Sequence, residues 1–414
     1  MKTVFAEIIT IGDEILYGQT LDTNSHWMSS KLDEAGIKVR RKYSIGDQRE
    51  EIFTALKESQ DRADIVLITG GLGPTKDDLT KPCLAEYFRQ PLILHEEALQ
   101  DVTNFFNNRG RELTDINRKQ AEMPANAKLI HNYHGSAPGM WFQENNTIFI
   151  SMPGVPFEMK KMMLNEIIPK LKSVFDIGLI VHRIIHTVGI GESWLSEIIA
   201  DWENNLPENV KLAYLPSMGQ VKLRLTAVGD NRETLVKAID EQVEKLLPLA
   251  GEYVFGYDDI TFPQAIGDLL ITAGKTVAIA ESCSGGYVSH LLTSIPGSSR
   301  YFNGSMVAYQ NEIKEKELRV SEETLGTHGA VSEPTVKQMA TKVREIFNSH
   351  VGLAVSGIAG PSGGSPQKPV GTVWIALADD EGVVTKKLQL GTEREINIKL
   401  SAIRVLDLLR QRIS

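Results

Sequence analysis

The chain has 414 residues, 42% of them hydrophobic and 23% charged, with a net charge of −9. This length exceeds one ordinary core and implies two or three domains. The acidic balance argues against direct nucleic-acid binding, because a duplex repels such a surface and the only basic cluster is Arg40-Arg41-Lys42. Cys83 and Cys283 are the only cysteines, which excludes a disulfide framework and a CxxC zinc site and fits a reducing compartment. MKTVFAEIIT enters a strand pattern at once and carries Glu7, unlike a secretory leader. No apolar run approaches the roughly 18 residues a bilayer requires. A cytoplasmic protein with no membrane contact is expected.

The predicted elements fall into three segments. In residues 1–170, strand and helix signals alternate: TVFAEIIT, the helix NSHWMSSKLDEAG, IKVRRKYSIG, the helix QREEIFTALKESQDR, then DIVLITGG. Strands spaced by helices imply a mostly parallel sheet covered on both faces, with ligands beyond the carboxyl ends of the strands. Residues 171–255 read as βαββαβ. In QVKLRLTAVG, Val221, Leu223, Leu225 and Ala227 alternate with Lys222, Arg224 and Thr226, the period of a sheet with one wet face. Residues 256–414 return to α/β, and the turn Asp379-Asp380-Glu381-Gly382 makes this last sheet mixed.

Two strand-to-helix loops of the first segment carry candidate chemistry. TGGLGPTKDD (69–78) holds Gly70, Gly71 and Gly73, then Thr75, Asp77 and Asp78. It has neither Walker nor dinucleotide spacing, but its glycines allow backbone N–H groups close to a ligand, and a helix starting near Asp77 would turn its positive end toward an anion. The plainer reading is that Asp77 or Asp78 caps that helix. IGDEILYGQTLDTN (11–24) adds Asp13, Glu14, Asp22 and Asn24, and NYHGSAPGMW (132–141) adds Asn132, Gly135 and Gly139. Carboxylates from two such loops suit a hard cation and pyrophosphate chemistry.

In the last segment a strand runs into AESCSGG (280–286), with Ser282 and Cys283 as candidate nucleophiles before Gly285-Gly286. No histidine is paired with either by sequence, and no GxSxG elbow exists. A serine activated by a lysine of lowered pKa remains. The candidate is Lys314 in VAYQNEIK, although Lys314 and Lys316 with their glutamates also read as one solvated helix face. Cys283 likewise reads as a small packed residue. N–H groups around Gly285 and Gly286 are the expected oxyanion donors. The loop Ser356–Gly364 offers further donors for a phosphate, and Arg394 either adds charge there or is an exposed residue at a helix start.

IGDEILYGQTLDTN, TGGLGPTKDDLT, NxxGxAPG at 132–139 and MPGVPFEM (152–159) closely resemble the first domain of the CinA (competence/damage-inducible protein A) family, a domain similar to molybdopterin-binding domains. AESCSGG, PGSSRYF, VAYQNEIK, HGAVSEPT, SGIAGPSGG and KPVGTVW resemble its C-terminal domain and the nicotinamide mononucleotide (NMN) deamidases, with Ser284 where the family commonly has Thr. The resemblance implies a three-layer αβα molybdopterin-binding-like domain, a small α+β domain and an α/β deamidase domain. It implies ADP-ribose hydrolysis in the first, with Mg, Mn or Co, alone or together with K+, held by Asp13, Asp77 and Asp78. Asn24, Gly70, Gly71, Gly73, Thr75, Asn132 and Gly135 would bind that substrate. In the last it implies metal-free NMN deamidation with Ser282 as nucleophile, Lys314 as base, and Tyr309 and Ser299 in support. Gly285, Gly286, Ser356, Gly357, Gly360 and Arg394 would contact NMN. A homodimer is implied as well. Two other readings stay open: a pterin-binding or adenylyl-transferring first domain, and a non-enzymatic competence partner.

Overall fold

A computed structural model describes residues 3–413. The chain groups into two compact units: one ends at Val181 and takes in Val228–Leu235, and the other holds His182–Ala227 and the chain from Val236 onward. In the first unit the strands are β1 (Phe5–Ile11), β2 (Lys38–Ile45), β3 (Ile65–Thr69), β4 (Leu92–Leu94), β5 (Glu122–Pro124), β6 (Lys128–Ile130), β7 (Gly139–Glu144) and β8 (Thr147–Met152). The main sheet has the order β2-β1-β3-β8-β7-β6, with β4 and β5 a separate pair. Strands β2, β1, β3 and β8 run parallel, and β7 and β6 complete the sheet antiparallel.

Strand periodicity divides the core in two. Ala6, Ile8, Ile65, Leu67, Ile148 and Ile150 face Met28, Leu32, Met159 and Ile167 on one side. Ile9, Ile11, Val66, Ile68 and Phe149 face Ile52, Leu56, Leu84 and Val102 on the other. Successive side chains of a strand point to opposite faces, so β1, β3 and β8 are apolar on both faces for most of their length because helices cover both sides. Each fully buried aliphatic side chain contributes about 1.5–3 kcal/mol. Glu7 is the charged exception in β1. It is fully buried and accepts from Ser59 at 2.8 Å and from Arg62 at 2.9 and 3.1 Å.

Next along the chain come β9 (Leu179–Val188), β10 (Val210–Ser217), β11 (Gln220–Gly229) and β12 (Val254–Tyr257), in the order β10-β11-β9-β12, with helices Glu192–Asn204 and Arg232–Ala250. Val221, Leu223, Leu225 and Ala227 of β11 are buried and the residues between them are half-buried, as the alternation predicts. The last sheet is β14-β13-β15-β16-β17, built from β13 (Val277–Glu281), β14 (Phe302–Val307), β15 (Val351–Gly357), β16 (Thr372–Asp379) and β17 (Gly382–Gln389). β13 is parallel to β14 and β15, whereas β16 is antiparallel to β15 and β17, so the sheet is mixed. Helix Glu333–Ile346 packs on one face. Helices Phe262–Thr272, Tyr287–Thr293 and Arg394–Ile413 pack on the other. Among the described residues no helix is long and apolar enough to cross a membrane.

Candidate active sites

In the first unit the loops after β1, β2, β3 and β8 enclose a cavity of about 480 Å³. Its lining holds six carboxylates, Glu14, Asp22, Asp47, Asp77, Asp78 and Glu158, and no lysine or arginine. Burial pushes the Asp47 carboxyl up; the Asp13 N–H, donating to it at 3.1 Å, opposes this, and the charges of Asp13, Glu14 and Asp77 raise it further. Such a field favours a cation. Among the described residues no three His, Cys, Asp or Glu side chains are grouped closely enough to hold a metal by themselves. A small divalent ion does not need such a cage, since it keeps several waters and takes one or two carboxylates with substrate phosphate oxygens. The all-oxygen donor set fits that kind of ion.

The residues expected here divide. Asp77, Asp78, Asn24, Gly70, Gly71 and Gly73 line the cavity, but Asp13 does not. The helical turn Asp13–Leu16 carries the Asp13 side chain toward Gly46, where it accepts from the Tyr17 hydroxyl at 3.3 Å. Helix Thr80–Tyr87 starts three residues later than expected and has Leu79, not an aspartate, at its cap position. Asp78 instead closes the preceding turn, accepting from the Thr75 N–H at 2.9 Å and from the Thr75 hydroxyl. Thr75 therefore holds a carboxylate rather than facing the cavity. Asn132 also stands behind the lining: its Nδ2 donates to Glu158 at 2.7 Å, and Gly135 leaves room for that carboxylate. Gly70, at φ +112°, passes so close to the Ile11 carbonyl that no side chain fits. Asp47 and Glu158 were not picked out from sequence. Asp47 sits just past a parallel strand, where the rule about strand carboxyl ends applies, but QREEIF beside it reads as a plain helix start.

In the second unit Ser282 follows the last residue of β13 and is 9% exposed. Its N–H donates to the Val355 carbonyl at 2.9 Å, which ties the serine to the neighbouring strand. The chain then reverses through Gly285 (φ +62°) and Gly286 (φ +99°) into helix Tyr287–Thr293, a conformation that glycine adopts at least cost. The expected oxyanion donors are already engaged. The Gly285 N–H closes a turn onto the Ser282 carbonyl at 3.1 Å, and the Gly286 N–H donates to Glu281 at 3.0 Å. Glu281 is fully buried and also accepts from the Val288 and Ser289 N–H groups and the Ser289 hydroxyl. One internal carboxylate thus satisfies the helix N-terminus. Among the described residues the N–H groups of Cys283 and Ser284 are committed neither to a backbone carbonyl nor to Glu281.

Lys314 departs from the solvated-face reading. It is 1% exposed, whereas Lys316, two residues on, lies in the open and pairs with Glu312 at 2.6 Å. The Lys314 amine donates to the Ala308 carbonyl at 2.7 Å and to the Tyr309 carbonyl at 3.1 Å. Desolvation lowers its pKa from the ordinary lysine value, opposed by nearby Cys283. Among the described residues no carboxylate pairs with it, and no hydrogen bond joins it to Ser282. Burial pushes the Cys283 thiol up to about 12, which favours the protonated form and disfavours it as a nucleophile.

Tyr309 is exposed, and its hydroxyl accepts from Arg394 at 2.8 Å; Arg394 also donates to the Gly360 carbonyl at 2.9 Å. Arg394 is thus neither a free surface residue nor uncommitted, because it braces Tyr309 against the 360 loop. Ser356 is fully buried and donates to the Ala330 carbonyl at 2.7 Å, so its hydroxyl supports the fold. Gly357 packs against Val373, and Gly360 (φ +91°) turns the loop. Ser299 lies elsewhere. β13 and β14 are parallel, with Val277 opposite Phe302 and Glu281 opposite Val307. Ser299 precedes β14 and Ser282 follows β13, so they stand at opposite ends of the sheet.

Residues 7–173 match the family model for a probable molybdopterin binding domain, residues 182–256 that for a damage-inducible protein CinA KH domain, and residues 260–413 that for a CinA C-terminal domain. A CinA-like protein of Cytophaga hutchinsonii is 52% identical over 410 residues, covering 99% of this chain and 98% of its own. The chain belongs to the CinA family. A further member, the CinA-like protein of Flavobacterium psychrophilum, is 43% identical over 410 residues, 99% of this chain and 98% of its own. The crystal structure of a CinA protein from Thermoplasma acidophilum is 33% identical and covers 42% of this chain and 99% of its own, with a TM-score of 0.38.

Proposed function

We propose that this CinA-family chain is a bifunctional hydrolase of pyridine-nucleotide salvage, deamidating NMN in its C-terminal domain and cleaving ADP-ribose to AMP and ribose 5-phosphate in its N-terminal domain. The buried, unpaired Lys314 carries the first assignment. A neutral amine has two hydrogens and one lone pair; the Ala308 and Tyr309 carbonyls take both hydrogens, which leaves the lone pair to accept the Ser282 hydroxyl proton once the two side chains come within hydrogen-bonding reach. The Ser282 Oγ then forms a bond to the carboxamide carbon of NMN, and the carbonyl oxygen gathers the negative charge. The N–H groups of Cys283 and Ser284 are the donors available to it. As the C–N bond breaks, the protonated Lys314 returns a proton to the departing amine and ammonia leaves. Water then hydrolyses the nicotinoyl ester, giving nicotinate mononucleotide and free Ser282. Tyr309, held by Arg394, keeps its own hydroxyl proton free to donate.

The N-terminal assignment rests on charge. A diphosphate cannot enter a cavity lined by six carboxylates and no basic side chain unless cations accompany it. Asp47 and Asp77, with phosphate oxygens of the substrate, would hold a divalent ion, which would neutralise the phosphates and supply an activated water. A homodimer belongs to the same reading. The test is a panel on purified protein: NMN and ADP-ribose, each with and without chelator. Ammonia from NMN that survives chelation, together with AMP from ADP-ribose that does not, is the expected result. Loss of deamidation on chelation would overturn the serine–lysine scheme.

A further inference from the structure

Two residues that line the N-terminal cavity, Gln120 and Asn24, 3% and 9% exposed, each carry a buried side-chain oxygen, Oε1 and Oδ1, without a hydrogen bond. Asn24 cannot relieve this by turning its amide over. Its Nδ2 lies 2.7 Å from the Gly154 carbonyl, which only accepts, and it also donates to the Thr69 hydroxyl at 3.3 Å. The Thr69 hydroxyl in turn gives its hydrogen to the Pro153 carbonyl at 2.9 Å. The Asn24 oxygen is therefore pinned as an acceptor. Gln120 sits in the short helix Lys119–Ala121, whose backbone is held independently of its side chain: Lys81 donates to the Gln120 carbonyl at 2.8 Å, and the Ala121 carbonyl accepts from the His95 N–H at 3.0 Å. Among the described residues its side-chain amide makes no hydrogen bond, so it gives the fold no polar support. A buried acceptor without a partner is costly. Two in residues of one cavity wall call for a donor that arrives from outside.

We propose that these two oxygens receive the exocyclic amino group of a flat nitrogen heterocycle. The neighbouring carboxylates attract a cation far more strongly than neutral amide oxygens do, which leaves the amides for a neutral N–H donor. Leu21 and Val155, exposed on the same lining, offer apolar surface to the faces of a ring, and about 480 Å³ accommodates a nucleotide. The proposal deepens the reading of this cavity as a nucleotide site, but the amino chemistry is shared by adenine and by a pterin.

Calorimetric titration with Mg2+ present, needing no turnover, separates these. The ligands are AMP, IMP (a carbonyl in place of the amino group) and 6-hydroxymethylpterin, each against wild type and Gln120→Met. AMP should bind wild type about ten-fold or more tightly than IMP. Gln120→Met should weaken AMP by a similar factor and leave IMP nearly unchanged. Because it removes a buried oxygen that has no partner, it should leave the Tm of the ligand-free protein equal or higher. Tight binding of the pterin alone, lost in the same variant, would uphold the amino-group inference and overturn the ADP-ribose reading. Equal affinity for AMP and IMP would overturn the inference even if ADP-ribose were cleaved. So would a variant with a lowered Tm and undiminished AMP binding.

Discussion

Carboxylates stand at the carboxyl ends of parallel strands in both halves of the molecule, and they do opposite work. Around the N-terminal cavity they face one another with no basic side chain on the lining, and burial first, then the charges of its neighbours, raises the Asp47 pKa. In the C-terminal domain Glu281 is fully enclosed, with four hydrogen bonds from the helix it introduces. The first arrangement leaves charge for a ligand to neutralise, whereas the second consumes charge within the fold and holds Ser282 at a fixed turn. An acidic residue beyond a strand is therefore no functional signature until its donors are counted.

Separating the two halves gives the largest expected effect. Ser282→Ala should reduce ammonia release from NMN by at least ~10³-fold while AMP release from ADP-ribose stays at the wild-type rate; loss of both would show that the halves do not act separately. Next, Lys314→Met should slow deamidation by about 10²–10⁴-fold. In the wild type, deamidation should climb with pH as the amine loses its proton and level off below 10.5, the ordinary lysine value. A rate that falls across this range would remove Lys314 as base.

Glu281→Gln tests the structural carboxylate. The amide keeps one acceptor oxygen but turns an NH2 toward N–H donors, so about 1–3 kcal/mol of stability should be lost. Deamidation should drop through kcat rather than KM, with ADP-ribose cleavage unaffected. The smallest effect concerns Lys81. Burial lowers its pKa from 10.5 to about 8, against the pull of Glu122 and Asp78. Between those values the unfolded chain binds the extra proton, so stability should rise with pH across that window. Lys81→Met should flatten the rise in urea midpoints; an unchanged slope would mean that the amine is well solvated.

Much of the architecture was legible because strand and helix periods are local. The apolar runs of β1 and β3, the alternation in β11 and the Asp379–Gly382 turn could each be read from a few adjacent residues. Pairing was not legible in the same way. Lys314 and Lys316 look alike in a helix, and only the placement of helix Asn311–Lys316 buries one and exposes the other. Asp13 and Asp47 belong to separate loops, and which of them reaches the cavity depends on how each loop leaves its strand. Ser299 and Ser282 are 17 positions apart, but parallel β13 and β14 carry them to opposite ends of one sheet.

By itself the sequence determined the family, the mixed α/β character and the loops on which chemistry was to be sought, because glycine turns, strand runs and motif strings are carried by neighbours in the chain. Only the tertiary structure decided which polar groups remain available. The Ser282 carbonyl and Glu281 take the Gly285 and Gly286 N–H groups expected to hold an oxyanion, Thr75 takes up Asp78, and Arg394 braces Tyr309, whereas Gln120 is left with an acceptor and no donor. Hydrogen-bond capacity is finite, and what a side chain can offer a ligand is what distant parts of the chain have not already claimed.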